Sequence, residues 1–215
     1  MMSDKEGVPA VLFEEQGYLE EFLSQAASKD QAVEDLIFRR MLFAGISFSQ
    51  LEFSRCRFEG CRFSGCQMPK LYLRDCVLDG CDLSGCQMSD ATFRRVRWHS
   101  CKLAGTQFFG SLLQDCIFED CAADYANFSN SSFKQLAFTD CRLAEASFCD
   151  CKHTHLTLSG CAMPRADFTG TSLKGIDLTE DEIEGLLVSG PELRGAIVTP
   201  LQACDLARLL GLIIR

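Results

Sequence analysis

Residues 56–65 read Cys-Arg-Phe-Glu-Gly-Cys-Arg-Phe-Ser-Gly, two tandem copies of one five-residue unit. The unit extends far in both directions. Stepping by five from Phe38 to Val198 visits 33 positions, and 31 of them are large and apolar; Ala123 and His153 are the exceptions. Two residues before each large position lies a small class, seen at Cys56, Cys61, Ala91, Thr106, Ala126 and Thr171. This class takes 12 of the 14 cysteines, leaving out only Cys149 and Cys204. Two residues after the large position, glycine recurs, and 13 of the 16 glycines share that phase. A strict period found before any other feature decides the architecture.

A period of five matches neither a free helix at 3.6 nor a plain strand at 2.0. It matches a chain that turns a corner every five residues, with one large and one small side chain inward on each side and a glycine-prone corner. Four sides make a coil of 20 residues, and successive coils stack as parallel strands ~4.8 Å apart. Thirty-three sides give about eight coils, a rod of roughly 40 Å on that spacing. A single coil cannot bury its own core, so stability resides in the stacking of neighbours.

The units Cys81-Asp-Leu-Ser-Gly85, Ala166-Asp-Phe-Thr-Gly170 and Cys61-Arg-Phe-Ser-Gly65 resemble the motif of the pentapeptide-repeat family. The resemblance spans residue 36 to about 198. It implies an all-β fold, a right-handed quadrilateral parallel β-helix; the hand and the square section come from the resemblance, not from counting.

Both ends carry capping signals. Residues 11–27 are expected to form a helix, with Tyr18, Leu19, Phe22, Leu23, Ala26 and Ala27 on one face and Glu14, Glu15, Glu20 and Glu21 on the other. Thr199-Pro200 starts a second helix, Thr199 as N-cap and Pro200 in the first turn. Apolar Leu201, Cys204, Ala207, Leu209 and Leu210 follow, then Gly211 and the tail Leu212-Ile213-Ile214. Three segments are therefore expected: an N-terminal helical cap over 1–33, the β-helix over 34–198, and a C-terminal helix and tail over 199–215. The stretches 193–198, Gln202-Ala203 and 209–214 resemble the C-terminal end of the quinolone-resistance (Qnr) and mycobacterial fluoroquinolone-resistance (MfpA) proteins. That resemblance implies a tail-to-tail homodimer through Leu201, Cys204, Ala207, Leu209, Leu210, Leu212, Ile213 and Ile214. Qnr proteins interrupt their repeat frame with loops needed for activity. The frame here is unbroken from 38 to 198, which makes the loop-free relatives the nearer models.

The formal net charge is −9, unevenly spread. Residues 39–102 carry a net of +5 and residues 103–193 a net of −9. Residues 20 apart share a face, so the acids stack into columns: Glu59, Asp79, Glu119, Asp120, Asp140, Asp177 and Glu180 on one side, Glu145, Asp181, Glu182 and Glu184 on the next. A basic column, Arg74, Arg94, Lys134, Lys174 and Arg194, lies elsewhere. Duplex DNA is itself a narrow rod of regular negative charge. The acidic ladder is thus a candidate DNA mimic, and the Qnr-like resemblance implies a type II topoisomerase as partner, DNA gyrase or topoisomerase IV, with modulation of quinolone action. Two alternatives stay open: a scaffold solenoid for another protein partner, and acids that serve solubility alone. Direct nucleic-acid binding through the basic column is disfavoured by the net charge.

No cofactor, metal or enzymatic activity is expected. The ladder Cys61, Cys81, Cys101, Cys121, Cys141 and Cys161 lacks a C-x-x-C pair or interleaved His, and buried free Cys commonly serves as a small apolar filler. His153 reads as a hydrogen-bonded core histidine, Trp98 as core, and Ala123 as a gap that Tyr125 fills or that stays a small cavity. Residues 1–10 lack the basic-then-apolar pattern of a secretory leader, and no run of ~18 apolar residues occurs. The expected location is the cytoplasm.

Overall fold

A computed structural model describes residues 11–13, 16–43, 51–63, 65–209 and 211–213. Phe48, Leu210 and Ile214 lie outside the described residues. The chain forms a parallel β-solenoid in which residues 20 apart are paired. On the first face the register runs Phe38, Phe58, Leu78, Trp98, Phe118, Phe138, Leu158. On the fourth it runs Val33, Phe53, Leu73, Phe93, Leu113, Phe133, His153. The second and third faces are joined by single bridges, such as Arg62 to Asp82 to Lys102 and Gln67 to Gln87 to Gln107. Strands are short at 52–54, 57–59, 72–74, 77–79, 92–94 and 97–99, and run through the corner at Leu112–Glu119, Ser132–Thr139 and Lys152–Ser159.

The large inward residues fill the axis. Aromatic rings stack between coils, Trp98 on Phe118 at 5.3 Å, Phe118 on Phe138 at 4.8 Å and Phe108 on Phe128 at 4.7 Å between centroids. Rings of one coil meet edge to face, as Phe108 and Phe118 do at 6.1 Å. Such offset and edge contacts suit the ring quadrupole, and each buried ring contributes about 1.5–3 kcal/mol. The aromatic columns break in the coil of Leu73, Leu78, Leu83 and Met88. There an internal cavity of about 10 Å³ remains, lined by those four residues with Phe53, Phe58, Phe63, Met68, Leu71 and Trp98. Ala123 is fully buried, and Tyr125 does not fill its place: Tyr125 is 60% exposed. Trp98 is fully buried, its indole N–H without a partner among the described residues. His153 is half-buried, its Nε2–H donating to Ser172 O at 2.5 Å.

All twelve in-phase cysteines are buried, free thiols among them, whereas Cys149 is half-buried and Cys204 exposed. Each position does more than fill space. The thiol of Cys81 donates to Phe58 O at 3.4 Å, and that of Cys116 to Phe93 O at 3.5 Å. A backbone N–H from the preceding coil reaches each sulfur, Cys61 to Cys81 and Val96 to Cys116. Ser111 reproduces both bonds with oxygen, accepting from Ala91 N at 3.0 Å and donating to Met88 O at 3.1 Å. Where Cys, Ser or Thr occupies this phase it both accepts and donates, whereas Ala91 and Ala126 only fill the space. Burial pushes the thiols of Cys116 and Cys151 up to about 12 and about 11.

The N-terminal end departs from expectation. The helix expected over 11–27 is shorter, α1 at Leu19–Ser28, after a 3-10 turn at Gln16–Tyr18. Val11–Phe13 instead forms strand β1, pairing in parallel with Leu36–Arg39 and placing Phe13 opposite Phe38 at 5.5 Å between rings. Val33–Glu34 also joins the sheet, so the sheet begins within the segment assigned to the cap. The physical reason is the uppermost ring: without Phe13 and Phe22, Phe38 would face water. On the second face the side-chain amide of Gln16 stands in for a missing coil. It donates to Leu42 O at 2.9 Å and accepts from Leu42 N at 2.7 Å.

Helix α2, Pro200–Arg208, closes the other end. Thr199 caps it in a capping box with Gln202. The Gln202 Nε2 also donates to Leu178 O at 2.7 Å and Asp181 O at 2.9 Å, again sealing open strand edges with a side-chain amide.

Candidate interaction surface

The surface follows from the corners. Nearly every residue two positions after an inward large residue has positive φ, whatever its type: Asp75 at 55°, Asp120 at 52°, Tyr125 at 61°, Asp140 at 51° and Gly160 at 66°. This left-handed region disfavours a Cβ, and Asp and Asn tolerate it best after glycine. Nine of the nineteen non-glycine residues there are Asp or Asn. Part of the acidic ladder is thus explained by backbone conformation. Asp120 and Asp140 sit at corners, and the carboxylate of Asp140 lies where a Cβ on Gly160 would go.

Of the eleven carboxylates assigned to the acidic face, the structure removes one. Asp181 is buried, 6% exposed, because it is twenty residues beyond Cys161 and occupies the same inward column. Its Oδ1 accepts from Cys161 N at 2.7 Å, as Ser111 accepts from Ala91. The repeat phase alone carried that signal. Three more are paired on the surface. Arg39 and Arg57 each approach Glu59 at 2.8 Å and hold its carboxyl below the usual range, Arg39 most strongly. Asp79 binds His99 at 2.8 Å and raises the imidazole. Glu145 lies 4.0 Å from Arg165. The remaining seven, Glu119, Asp120, Asp140, Asp177, Glu180, Glu182 and Glu184, make no ion pair among the described residues. All lie between 119 and 184, in the C-terminal half of faces one and two.

The basic column divides similarly. Arg95 pairs with Asp75 at 2.5 Å, Arg55 with Asp35 at 2.6 Å, and Arg74 approaches Glu34 at 3.8 Å. Arg94, Lys134, Lys174 and Arg194 form no ion pair among the described residues. Exposed pairs of this kind are worth about 0–1 kcal/mol each, so their main effect is on the outer field. The third face carries Asp90, Asp150 and Asp167 against Lys70, with Gln107 and Asn127 joined side chain to side chain at 3.0 Å.

At the C-terminal end, Leu201, Leu209, Leu212 and Ile213 are exposed, Ile213 at 87%. Cys204 is exposed and Ala207 half-buried. Leu206, absent from the residues assigned to pairing, is the residue of α2 that is buried.

A model of the pentapeptide repeat region matches residues 51–128, 91–168 and 111–188 in overlapping registers. The chain belongs to the pentapeptide-repeat family. No curated protein matches it. Among solved structures it is similar to HetL, a pentapeptide-repeat protein involved in heterocyst differentiation regulation from the cyanobacterium Nostoc sp. strain PCC 7120. That likeness has 16% identity over 83% of this chain and 98% of HetL, with a TM-score of 0.54. A trypsin-treated form of QnrB1, a plasmid-mediated fluoroquinolone resistance protein, aligns at 24% identity over 86% of this chain and 92% of its own, with a TM-score of 0.41. These likenesses concern the fold of a pentapeptide-repeat protein. No helix among the described residues is long and apolar enough to cross a membrane.

Proposed function

We propose that this pentapeptide-repeat protein is a non-catalytic binding rod whose C-terminal half acts as a DNA mimic toward a type II topoisomerase, DNA gyrase or topoisomerase IV, and thereby modulates quinolone action. The supporting observation is the set of seven carboxylates without ion pairs among the described residues, from Glu119 to Glu184 on adjacent faces. A cationic groove that accepts the regular charge of duplex DNA accepts such a ladder on the same electrostatic terms. The exposed Leu201, Leu209, Leu212 and Ile213 suit an isologous contact that joins two acidic halves at their ends. The test is a gyrase supercoiling assay with and without ciprofloxacin. Inhibition by the rod, or restored supercoiling in the presence of drug, supports the reading; no effect at micromolar protein defeats it. Sedimentation of the chain carrying Ile213→Asp tests the pairing, since an unchanged mass rejects it.

The corner geometry favours a second reading. Asp120 and Asp140 satisfy a conformational demand regardless of any partner, which fits a scaffold solenoid binding another protein. Replacing both by Gly separates the two: a mimic loses activity, whereas a scaffold that uses another face retains it.

A further inference from the structure

Asp181 is at odds with its surroundings. The inward column of the second face holds Cys61, Cys81, Cys101, Cys121, Cys141 and Cys161, and the next rung is a carboxylic acid. Its Oδ1 accepts the Cys161 N–H at 2.7 Å, but its Oδ2 is buried with no partner among the described residues. A buried carboxylate oxygen without a donor is costly when charged and much less so when it carries the proton. The same residue anchors the cap: its carbonyl, with that of Leu178, accepts from Gln202 Nε2, and Gln202 closes the capping box that starts α2. Among the residues of α2 only Leu206 is buried, so α2 rests on few ties.

We propose that Asp181 is a proton-operated latch on the C-terminal cap: its protonated carboxyl keeps the last coil closed beneath α2, and its ionisation releases α2. The charged groups around it reinforce this. Glu180 and Asp177 of the same coil are both acidic, Cys161 faces it from the preceding coil, and α2 presents the neutral Gln202. Burial, then the fields of Glu180 and Asp177, hold the Asp181 carboxyl above the ordinary carboxylate range. A carboxyl whose folded pKa is raised binds more protons folded than unfolded, so its effect on stability is absent at low pH. Stability is then lost as pH rises from the unfolded value toward the folded one. Admitting water to Oδ2 relieves the charge, and in this proposal α2, tied to the Asp181 carbonyl, moves to admit it. Nothing in this depends on what the cap binds.

Hydrogen exchange of the intact protein tests the latch, followed amide by amide from pH 4 to 8 and corrected for intrinsic rates. The expected result is a protection factor across 200–208 that falls up to tenfold per pH unit until Asp181 is ionised, then levels off, while protection of 112–159 stays constant. In Asp181→Asn the pH dependence across 200–208 disappears. Asp181→Ser gives the same flat profile and guards against misfolding of the first variant, because serine already fills the equivalent role at 111 and 131. Flat protection in the parent protein, a fall of equal size in Asp181→Asn and Asp181→Ser, or a fall shared with 112–159 would each overturn the proposal.

Discussion

A left-handed corner every fifth residue sets what each position can be. Gly160 and Gly80 share that conformation, at φ 66° and 59°, but differ in surroundings. A Cβ on Gly80 meets nothing within 4 Å, whereas one on Gly160 meets Asp140 Oδ1 at 2.5 Å. Gly80→Ala is expected to cost about 1 kcal/mol for the backbone alone. Gly160→Ala should cost more, about 2 kcal/mol, until the Asp140 side chain swings away. Urea denaturation of both, with Asp140→Gly combined with Gly160→Ala, checks this: the excess at 160 must vanish in the double variant. The thiols make a second residue-scale case. Twelve are buried and closed to a reagent from solvent, so access governs which thiols react. Iodoacetamide at pH 8 should modify the native protein at Cys204, and more slowly at Cys149, whose thiol burial raises. Mass spectrometry showing more than two of the 14 cysteines alkylated before unfolding would contradict that burial. The residue scale is also where the sequence reading was most and least informative. Phase placed Phe58, Leu78, Trp98 and the twelve cysteines inward, because a fixed period needs no three-dimensional information. The same phase marked Asp181 as inward, yet chemical type suggested a surface acid. Register sets Arg39 beside Glu59, but which rotamers close the Glu59 pairs with Arg39 and Arg57 is not legible in the sequence.

Elements show how a solenoid ends and where it is softest. At each end one glutamine amide closes part of the open edge, Gln16 against Leu42 and Gln202 against Leu178 and Asp181. A side-chain amide carries the same donor and acceptor as a peptide unit, so it substitutes for a strand at small entropic cost. Helix α1 starts later than its sequence pattern suggests because Val11–Phe13 is apolar at a spacing compatible with either structure. The tertiary demand of the exposed Phe38 ring decided for a strand. In the middle, the aliphatic coil of Leu73, Leu78, Leu83 and Met88 interrupts the ring stacks above and below it. Leu78 lies in register between Phe58 and Trp98. Leu78→Phe is expected to bridge the two stacks, fill the lined cavity and stabilise by about 1 kcal/mol, since stacked pairs exceed simple area burial. A raised thermal midpoint supports this. A lowered one would show that the cavity cannot admit a ring without overpacking.

At the scale of the whole molecule, repetition turns local choices into a long-range field. One acid per coil in a fixed column gives a line of charge, and a neighbouring arginine in the next coil erases it. The N-terminal half pairs Glu59 with Arg39 and Arg57 and Asp79 with His99, whereas seven carboxylates of the acidic face from Glu119 onward make no ion pair among the described residues. The proposed topoisomerase reading therefore makes an asymmetric claim. Neutralising the open acids by Glu119→Gln, Asp120→Asn and Asp140→Asn together should weaken inhibition of gyrase supercoiling by tenfold or more, and flatten its dependence on salt. Neutralising the paired acids by Glu59→Gln and Asp79→Asn should change it less than twofold, because Arg39 and Arg57 compensate Glu59 at contact distance and His99, its imidazole raised, engages Asp79. Screening sharpens the contrast: at 0.1 M salt the Debye length is about 10 Å, so distant acids cannot substitute for those facing a partner. Equal losses from the two sets would mean that total charge, not its arrangement along the rod, governs binding. Losses from the paired set alone would move the contact to the N-terminal half. Either result would detach the mimicry from the acidic columns while leaving the solenoid as described.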